Sequence, residues 1–309
     1  MLFYFITSSF CWSPQMLAIA FEIGMKPFSD EYRNRMLNTF RVSGDDFERA
    51  AEGIQWLYNV EKPPFNIPSF NHWHFDYFSY NPEQLEITEN SYTDNLYYNL
   101  GQTQAHLFAA DSTKPWPFSF NLKHFLTSVC DAHSIFHASE LFSSEFPKGD
   151  NHGKKFMISY NGKTKSILDF WEEGCGDFTQ LNWNDVNDTA NKIMKEFPTN
   201  PYNQTEISWS SVMKETREIT KKFGYSDLSN NQKLTENYVE KCKEISRQQI
   251  AKAGYALQIS LKRIAINQYQ LPPLSIKGRK TETFAWSLLA LLLPIVIFVF
   301  SRTHFRNQK

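Results

Sequence analysis

Residues 122–142 read LKHFLTSVCDAHSIFHASELF, a run with neither proline nor glycine and with its apolar residues gathered on one face, which predicts one continuous central helix. On such a helix His133 and His137 fall four residues apart and share a face, with Asp131 in reach of the same centre. Two imidazoles and a carboxylate converging in this way have the chemistry of a metal-ligand set. Histidine is also clustered upstream, where Asn71, His72, Trp73 and His74 follow a segment, 61–68, that holds Pro63, Pro64 and Pro68 and is therefore expected to be a loop.

Working outward, residues 13–24 carry PQMLAIAFEIG, apolar at helical spacing, and residues 45–57 repeat that character after the turn signal Ser43-Gly44-Asp45. Downstream, a Gly/Lys/Asn-rich loop is expected over 147–155, and two long charged amphipathic helices over 207–223 and 234–266. Strand signals are confined to short pieces such as 155–160, so the expected fold class is all-α.

The composition allows one large packed domain or two modest ones: 309 residues, 41% hydrophobic and 16% aromatic, with a formal net charge of −1. Without a basic excess, any nucleic-acid contact must be local rather than global. Residues 284–301, FAWSLLALLLPIVIFVFS, carry no charge and as a helix would extend about 27 Å, the thickness of a bilayer core. They are expected to form one C-terminal transmembrane helix, reached through a Pro/Gly-containing linker, 271–283, and followed by a short basic tail, 302–309. Basic residues flank the span almost equally, with Lys277, Arg279 and Lys280 before it and Arg302, Arg306 and Lys309 after it, so the N-terminus must decide the orientation. Residues 1–11, with a short apolar run and small residues at Ser9 and Cys11, read as a signal peptide cleaved before Trp12. The body, 12–270, would then be extracellular or lumenal and the tail cytoplasmic, a single-pass type I arrangement. The glycosylation sequons at Asn187 and Asn203 agree with that side of the membrane. After cleavage Cys130, Cys175 and Cys242 remain, enough for at most one intramolecular disulfide.

The order of motifs is more telling than any one of them. Trp12, the MLAIAFEI helix, Trp56, Trp73-His74, the run from Phe125 through Asp131 to His137, the loop Gly149-Asp150-x-x-Gly153, Leu168-x-x-Trp171-Glu172 and a closing Ala253-Gly254-Tyr255-Ala256-Leu257 helix follow one another. This succession, covering about residues 12–267, resembles the class I nucleases, the secreted single-strand-specific zinc nucleases of the phospholipase C/nuclease-like superfamily. The resemblance implies a helical body with up to three zinc ions in a cleft, which hydrolyse phosphodiesters of single-stranded DNA or RNA.

Carried over position by position, the resemblance implies Trp12 (through its amine and carbonyl), His74, Asp131, His137 and Glu172 as metal ligands, Asp131 bridging two ions and serving catalysis, and Phe75 and Asp150 as substrate contacts. Four ligand positions are changed: Gln15, Thr127 and Leu168 stand where the family has histidine, and Tyr58 where it has a carboxylate. No family site is complete, and Leu168 is the most damaging change because an alkyl side chain cannot bind metal. His133 and His152 lie near the expected cleft and, with the retained ligands, could compose a one- or two-metal centre; fewer zinc ions than three, or none, are expected. Two functions follow. One is a membrane-anchored nuclease acting on single-stranded nucleic acid with an eroded zinc site. The other is a catalytically inactive ectodomain that binds nucleotides, nucleic acid or a protein partner.

Overall fold

The computed structural model describes residues 12–60, 67–88, 92–109, 114–179, 181–202 and 206–264. The expected signal peptide, linker, transmembrane helix and tail lie outside the described residues, as do the proline loop at 61–66 and the sequon at Asn203. Among the described residues no helix is long and apolar enough to cross a membrane.

The chain opens with α1, Pro14–Met25. Ser13 caps it by accepting the Met16 N–H at 3.4 Å, and Pro14 pre-sets the first turn. Met16 through Phe21 are all buried, so this helix lies inside the protein, and its partner there is α10, Glu236–Arg263. Two glycines permit the contact. A Cβ at Gly254 would come within 2.5 Å of the Ile23 Cβ, and one at Gly24 within 2.8 Å of the Leu257 Cβ. The Ala-Gly-Tyr-Ala-Leu signature is thus the place where the two helix backbones meet.

Between these partners the chain forms α2 (Asp30–Arg41), the short α3 (Ala50–Gly53) and α4 (Trp56–Val60), a 3-10 segment (Pro68–His74), β1 (Ser79–Tyr80), α5 (Leu96–Ala109) and α6 (Pro115–Asp131). There follow β2 (Glu140–Leu141), β3 (Met157–Tyr160), β4 (Lys163–Ser166), α7 (Ile167–Glu172), α8 (Val186–Glu196), α9 (Trp209–Ile219), a π turn (Thr220–Gly224) and β5 (Gln232–Lys233). One apolar core gathers around α1, α6 and α10, and a second around α7, β3 and the lower part of α10. A disulfide between Cys175 and Cys242 ties the second core to α10, while Cys130 stays a buried thiol.

The body is mostly helical, in line with the all-α expectation, and among the described residues it carries two small sheets. The first is the parallel pair β1–β2, with Ser79 opposite Glu140. The second runs β4–β3–β5, antiparallel then parallel, and its hairpin turns at Asn161-Gly162, both at positive φ as a tight two-residue turn demands. The helix expected over 45–57 is broken into α3 and α4.

The larger correction concerns the central helix. α6 starts earlier than expected, at Pro115, and ends at Asp131, so His133 and His137 do not share a helical face. Residues 132–137 continue as tight turns, Ser134 N–H to the Asp131 carbonyl and His137 N–H to the Ser134 carbonyl. The cause lies in competing donors. Thr216 donates to the Ala132 carbonyl at 2.8 Å, Gln249 to that of His133 at 3.0 Å, and Thr220 to that of Ile135. Carbonyls that would extend the helix are taken by side chains of α9, the π turn and α10.

Candidate metal centre

Four elements end at one buried point. His74 closes the 3-10 segment, Asp131 closes α6, His137 sits in the turns beyond it, and Glu172 closes α7. None of the four is more than 1% exposed. His74 Nδ1 lies 2.7 Å from Asp131 Oδ2, His137 Nδ1 lies 3.2 Å from Asp131 Oδ1, and His137 Nε2 lies 3.3 Å from Glu172 Oε1. One donor atom each from His74, Asp131 and His137 fall within 4.8 Å of one another. Sequence spacing placed Asp131 and His137 together for the wrong geometric reason; a turn, not a helix face, brings them to one centre.

The electrostatics are those of charges forced together out of water. Burial alone would raise the Asp131 carboxyl and lower the His137 imidazole. The charges of His74 and His137 instead hold Asp131 below the ordinary carboxylate range. Glu172 and Asp131 likewise lift His137 to about 9. Yet the contacts of His137 have ion-pair distances without hydrogen-bond angles. Asp131 Oδ1, Glu172 Oε2 and both ring nitrogens of His137 are buried without a hydrogen-bond partner. Buried polar atoms left in this state each cost about 1–3 kcal/mol.

The set of His74, Asp131 and His137 fits a zinc ion: two imidazoles and a carboxylate are ordinary zinc ligands, and one ligand atom of each lies within 4.8 Å of the others, while Glu172 meets the far nitrogen of the His137 ring. Ser134, which the sequence did not single out, donates to Glu172 Oε1 at 2.7 Å and orients that carboxylate from the layer behind it. The polar residue inside Asp131-Ala132-His133-Ser134 was the available signal.

The remaining expected positions fall as follows. Trp12 is buried, and the next residue, Ser13, donates its N–H to the Glu172 carbonyl at 2.9 Å, which fixes the start of α1 beside the end of α7. Gln15 and Tyr58 are half-buried, Tyr58 against the main core. Thr127 is turned away into backbone bonds with the Ile54 and Lys123 carbonyls at 2.8 and 3.1 Å. Leu168 is wholly buried in the second apolar core.

Phe75 is buried, its ring stacked 4.3 Å from His152, 4.6 Å from His137 and beneath the Lys154 ammonium at 4.9 Å. Asp150 accepts from the Leu141 N–H at 3.1 Å and from the Tyr225 hydroxyl at 2.5 Å. The loop before it needs glycine: Gly149 has φ +81°, and a Cβ there would come within 2.1 Å of Glu140 Oε1.

Of the two histidines considered as replacements, His133 is spent elsewhere. Its ring bonds the Val129 carbonyl at 2.7 Å and the Tyr202 hydroxyl at 2.7 Å. His152 stays close, its Nδ1 3.2 Å from the Ser139 carbonyl and its Nε2 buried without a hydrogen-bond partner. Burial, followed by the charge of His137, drives its pKa down to about 3, so the ring is neutral.

A family model described as S1/P1 nuclease matches residues 30–265. The match contains His74, Asp131, His137 and Glu172, and it begins after Trp12 and Gln15. No curated protein matches the chain.

Proposed function

Since the chain belongs to the S1/P1 nuclease family, we propose that it is a phosphodiesterase of single-stranded nucleic acid whose three-ion plan is reduced to one zinc, held by His74, Asp131 and His137. The observation that carries this reading is the convergence of one ligand atom each from the buried His74, Asp131 and His137 within 4.8 Å of one another. A zinc ion there would supply Lewis acidity toward a phosphoryl oxygen. Asp131 holds the His74 and His137 rings in place, Ser134 fixes the Glu172 carboxylate, and the buried Phe75 ring packs on His137 beneath Lys154, whose ammonium is a cation beside the centre. The proposal extends to the anchor: residues 284–301 would hold the domain on the lumenal or extracellular side of a membrane.

A second reading, a nuclease-like domain that binds nucleic acid, nucleotides or a protein without hydrolysis, is favoured by one observation. The three ligands are closed off from solvent, and Thr127 and Leu168 have turned two family ligand positions into backbone and core contacts.

Metal analysis of the purified full chain, with hydrolysis of single-stranded DNA and RNA, separates the two. About one zinc per chain, and turnover lost together with the metal in Asp131→Asn, is expected. Metal-free protein without turnover refutes the hydrolase and leaves the binding domain.

A further inference from the structure

The ring of His137 lies between two carboxylates, one at each nitrogen. Nδ1 faces Asp131 Oδ1 at 3.2 Å, and Nε2 faces Glu172 Oε1 at 3.3 Å. A neutral imidazole that gives one nitrogen to a cation carries its hydrogen on the other, and the acceptor at that other nitrogen decides which is which. The resemblance implies Glu172 as a metal ligand. Yet neither of its oxygens joins the set that gathers within 4.8 Å, which takes one atom each from His74, Asp131 and His137.

Glu172 is instead built in behind the ring. It closes α7, is 1% exposed, and accepts the Ser134 hydroxyl at 2.7 Å on Oε1, the same oxygen that faces Nε2. Ser134 and His137 belong to one turn, closed by the His137 N–H on the Ser134 carbonyl at 3.1 Å. Hydroxyl, carboxylate and ring are therefore set by one short stretch of chain and the end of one helix. The 3.3 Å contact is off hydrogen-bond angle, as contacts that serve a site often are before it is engaged. Both groups are closed to bulk solvent, and among the described residues no other acceptor competes for Nε2.

We propose that Glu172 is a positioning residue rather than a ligand: anchored by Ser134, it accepts the Nε2 hydrogen of His137 and so commits Nδ1 to the cation. The cation rests on the function proposed above; the pairing of Glu172 with the ring does not.

Zinc and cobalt(II) titrations of the full chain test it, together with proton NMR of the full chain, labelled at histidine nitrogen and kept in chelator. Glu172→Gln keeps an acceptor oxygen for Nε2, and Glu172→Leu does not. Zinc affinity is expected to fall about 10–100-fold in Glu172→Leu and by less than about tenfold in Glu172→Gln. The visible absorption of the cobalt-loaded chain, which reports the ligand set, stays that of the native protein in both. Ser134→Ala, which loosens the carboxylate without touching it, weakens zinc binding with the same unchanged spectrum and serves if Glu172→Leu does not fold. In chelator the Nε2 hydrogen, assigned by its absence in His137→Gln, appears at low field in the native chain and in Glu172→Gln and moves upfield in Glu172→Leu. A changed cobalt spectrum in Glu172→Gln, or zinc affinity falling as far there as in Glu172→Leu, makes Glu172 a ligand and overturns the proposal. An Nε2 signal unmoved in Glu172→Leu overturns it as well. A chain that takes up neither ion refutes the proposed function, and the NMR comparison alone then decides whether Glu172 holds the ring.

Discussion

His124 offers the sharpest test of how this interior is charged. It is fully buried, neither ring nitrogen has a hydrogen-bond partner among the described residues, and Phe120, Phe70, Trp73 and Trp56 surround it at 4.4, 4.9, 5.0 and 5.6 Å between ring centroids. Burial, then the nearby charges of His74 and Lys123, pushes its pKa down to about 3. The folded state therefore refuses a proton that the unfolded chain accepts near its ordinary value of about 6.5. Between these values the unfolded state binds more protons, so this contribution to stability is complete above about pH 6.5 and is lost as the pH falls. From pH 7 to pH 5 the loss is about 2 kcal/mol, and it hardly changes if the folded value lies anywhere below about 4. His124→Phe keeps an aromatic ring in an aromatic pocket and removes the titration. Urea unfolding of the two proteins at both pH values gives a double difference in which the packing change cancels. The variant is expected to lose about 2 kcal/mol less than the native protein, or roughly 4–8 °C in melting temperature for a domain of this size. Parallel stability curves for the two proteins would refute the claim that His124 is buried and neutral.

Three further outcomes follow from other parts of the fold. Asp150 has the opposite sign: burial, offset in part by the Tyr225 hydroxyl, raises its carboxyl to about 6, so its stabilising contribution is present below about pH 4 and lost as the pH rises through 6, and Asp150→Asn should flatten that slope in the same unfolding assay. The Cys175–Cys242 bridge spans 67 residues of chain, and the Cys175→Ser/Cys242→Ser variant should lose about 4 kcal/mol, read from denaturant midpoints. Lys123, 1% exposed, is paired with Asp45 and flanked by the Trp56 and Phe47 rings; Asp45→Ala strands that ammonium and should cost about 3 kcal/mol, whereas Lys123→Met, which removes the charge itself, should cost less.

The helical plan was legible because its signals are local. The α1 run and the Ala253–Leu257 signature mark the two helices that cross through paired glycines, and motif order singled out His74, Asp131 and His137, which the fold brings together. What could not be read was tertiary competition for backbone groups. Residues 132–142 have helical composition, yet Thr216, Thr220 and Gln249, more than eighty positions away, take their carbonyls and turn the chain. Because of that turn His133 leaves the centre for Tyr202 while His137 enters it, and no periodicity in the sequence distinguishes the two. The β1–β2 pair escaped notice for a related reason. Two residues per strand give no alternation to detect, and the pairing of Ser79 with Glu140 exists only once the turns have delivered β2 beside β1.

The losses at the centre are unequal in a way that bears on whether a cation remains. Where the resemblance implies a lost ligand, the residue present has a partner suited to its own chemistry: the Thr127 hydroxyl bonds two carbonyls, and Leu168 packs among apolar side chains beside Ile167. Where the resemblance implies a kept ligand, Asp131 Oδ1 and Glu172 Oε2 have no hydrogen-bond partner, although Ser134 shows that a single hydroxyl in the right place can satisfy one carboxylate oxygen. A buried cluster of carboxylates and imidazoles with no function tends toward neutral, hydrogen-bonded or apolar replacements, since each orphaned atom costs about 1–3 kcal/mol. Three such side chains, His74, Asp131 and His137, with ligand atoms within 4.8 Å of one another and Asp131 Oδ1 still open, would suit a cation that completes them. Stability is then the direct measurement. Zinc should raise the melting temperature of the native chain and leave that of Asp131→Asn unmoved, whereas equal melting temperatures with and without zinc would mean that the open atoms are a tolerated cost rather than a binding site.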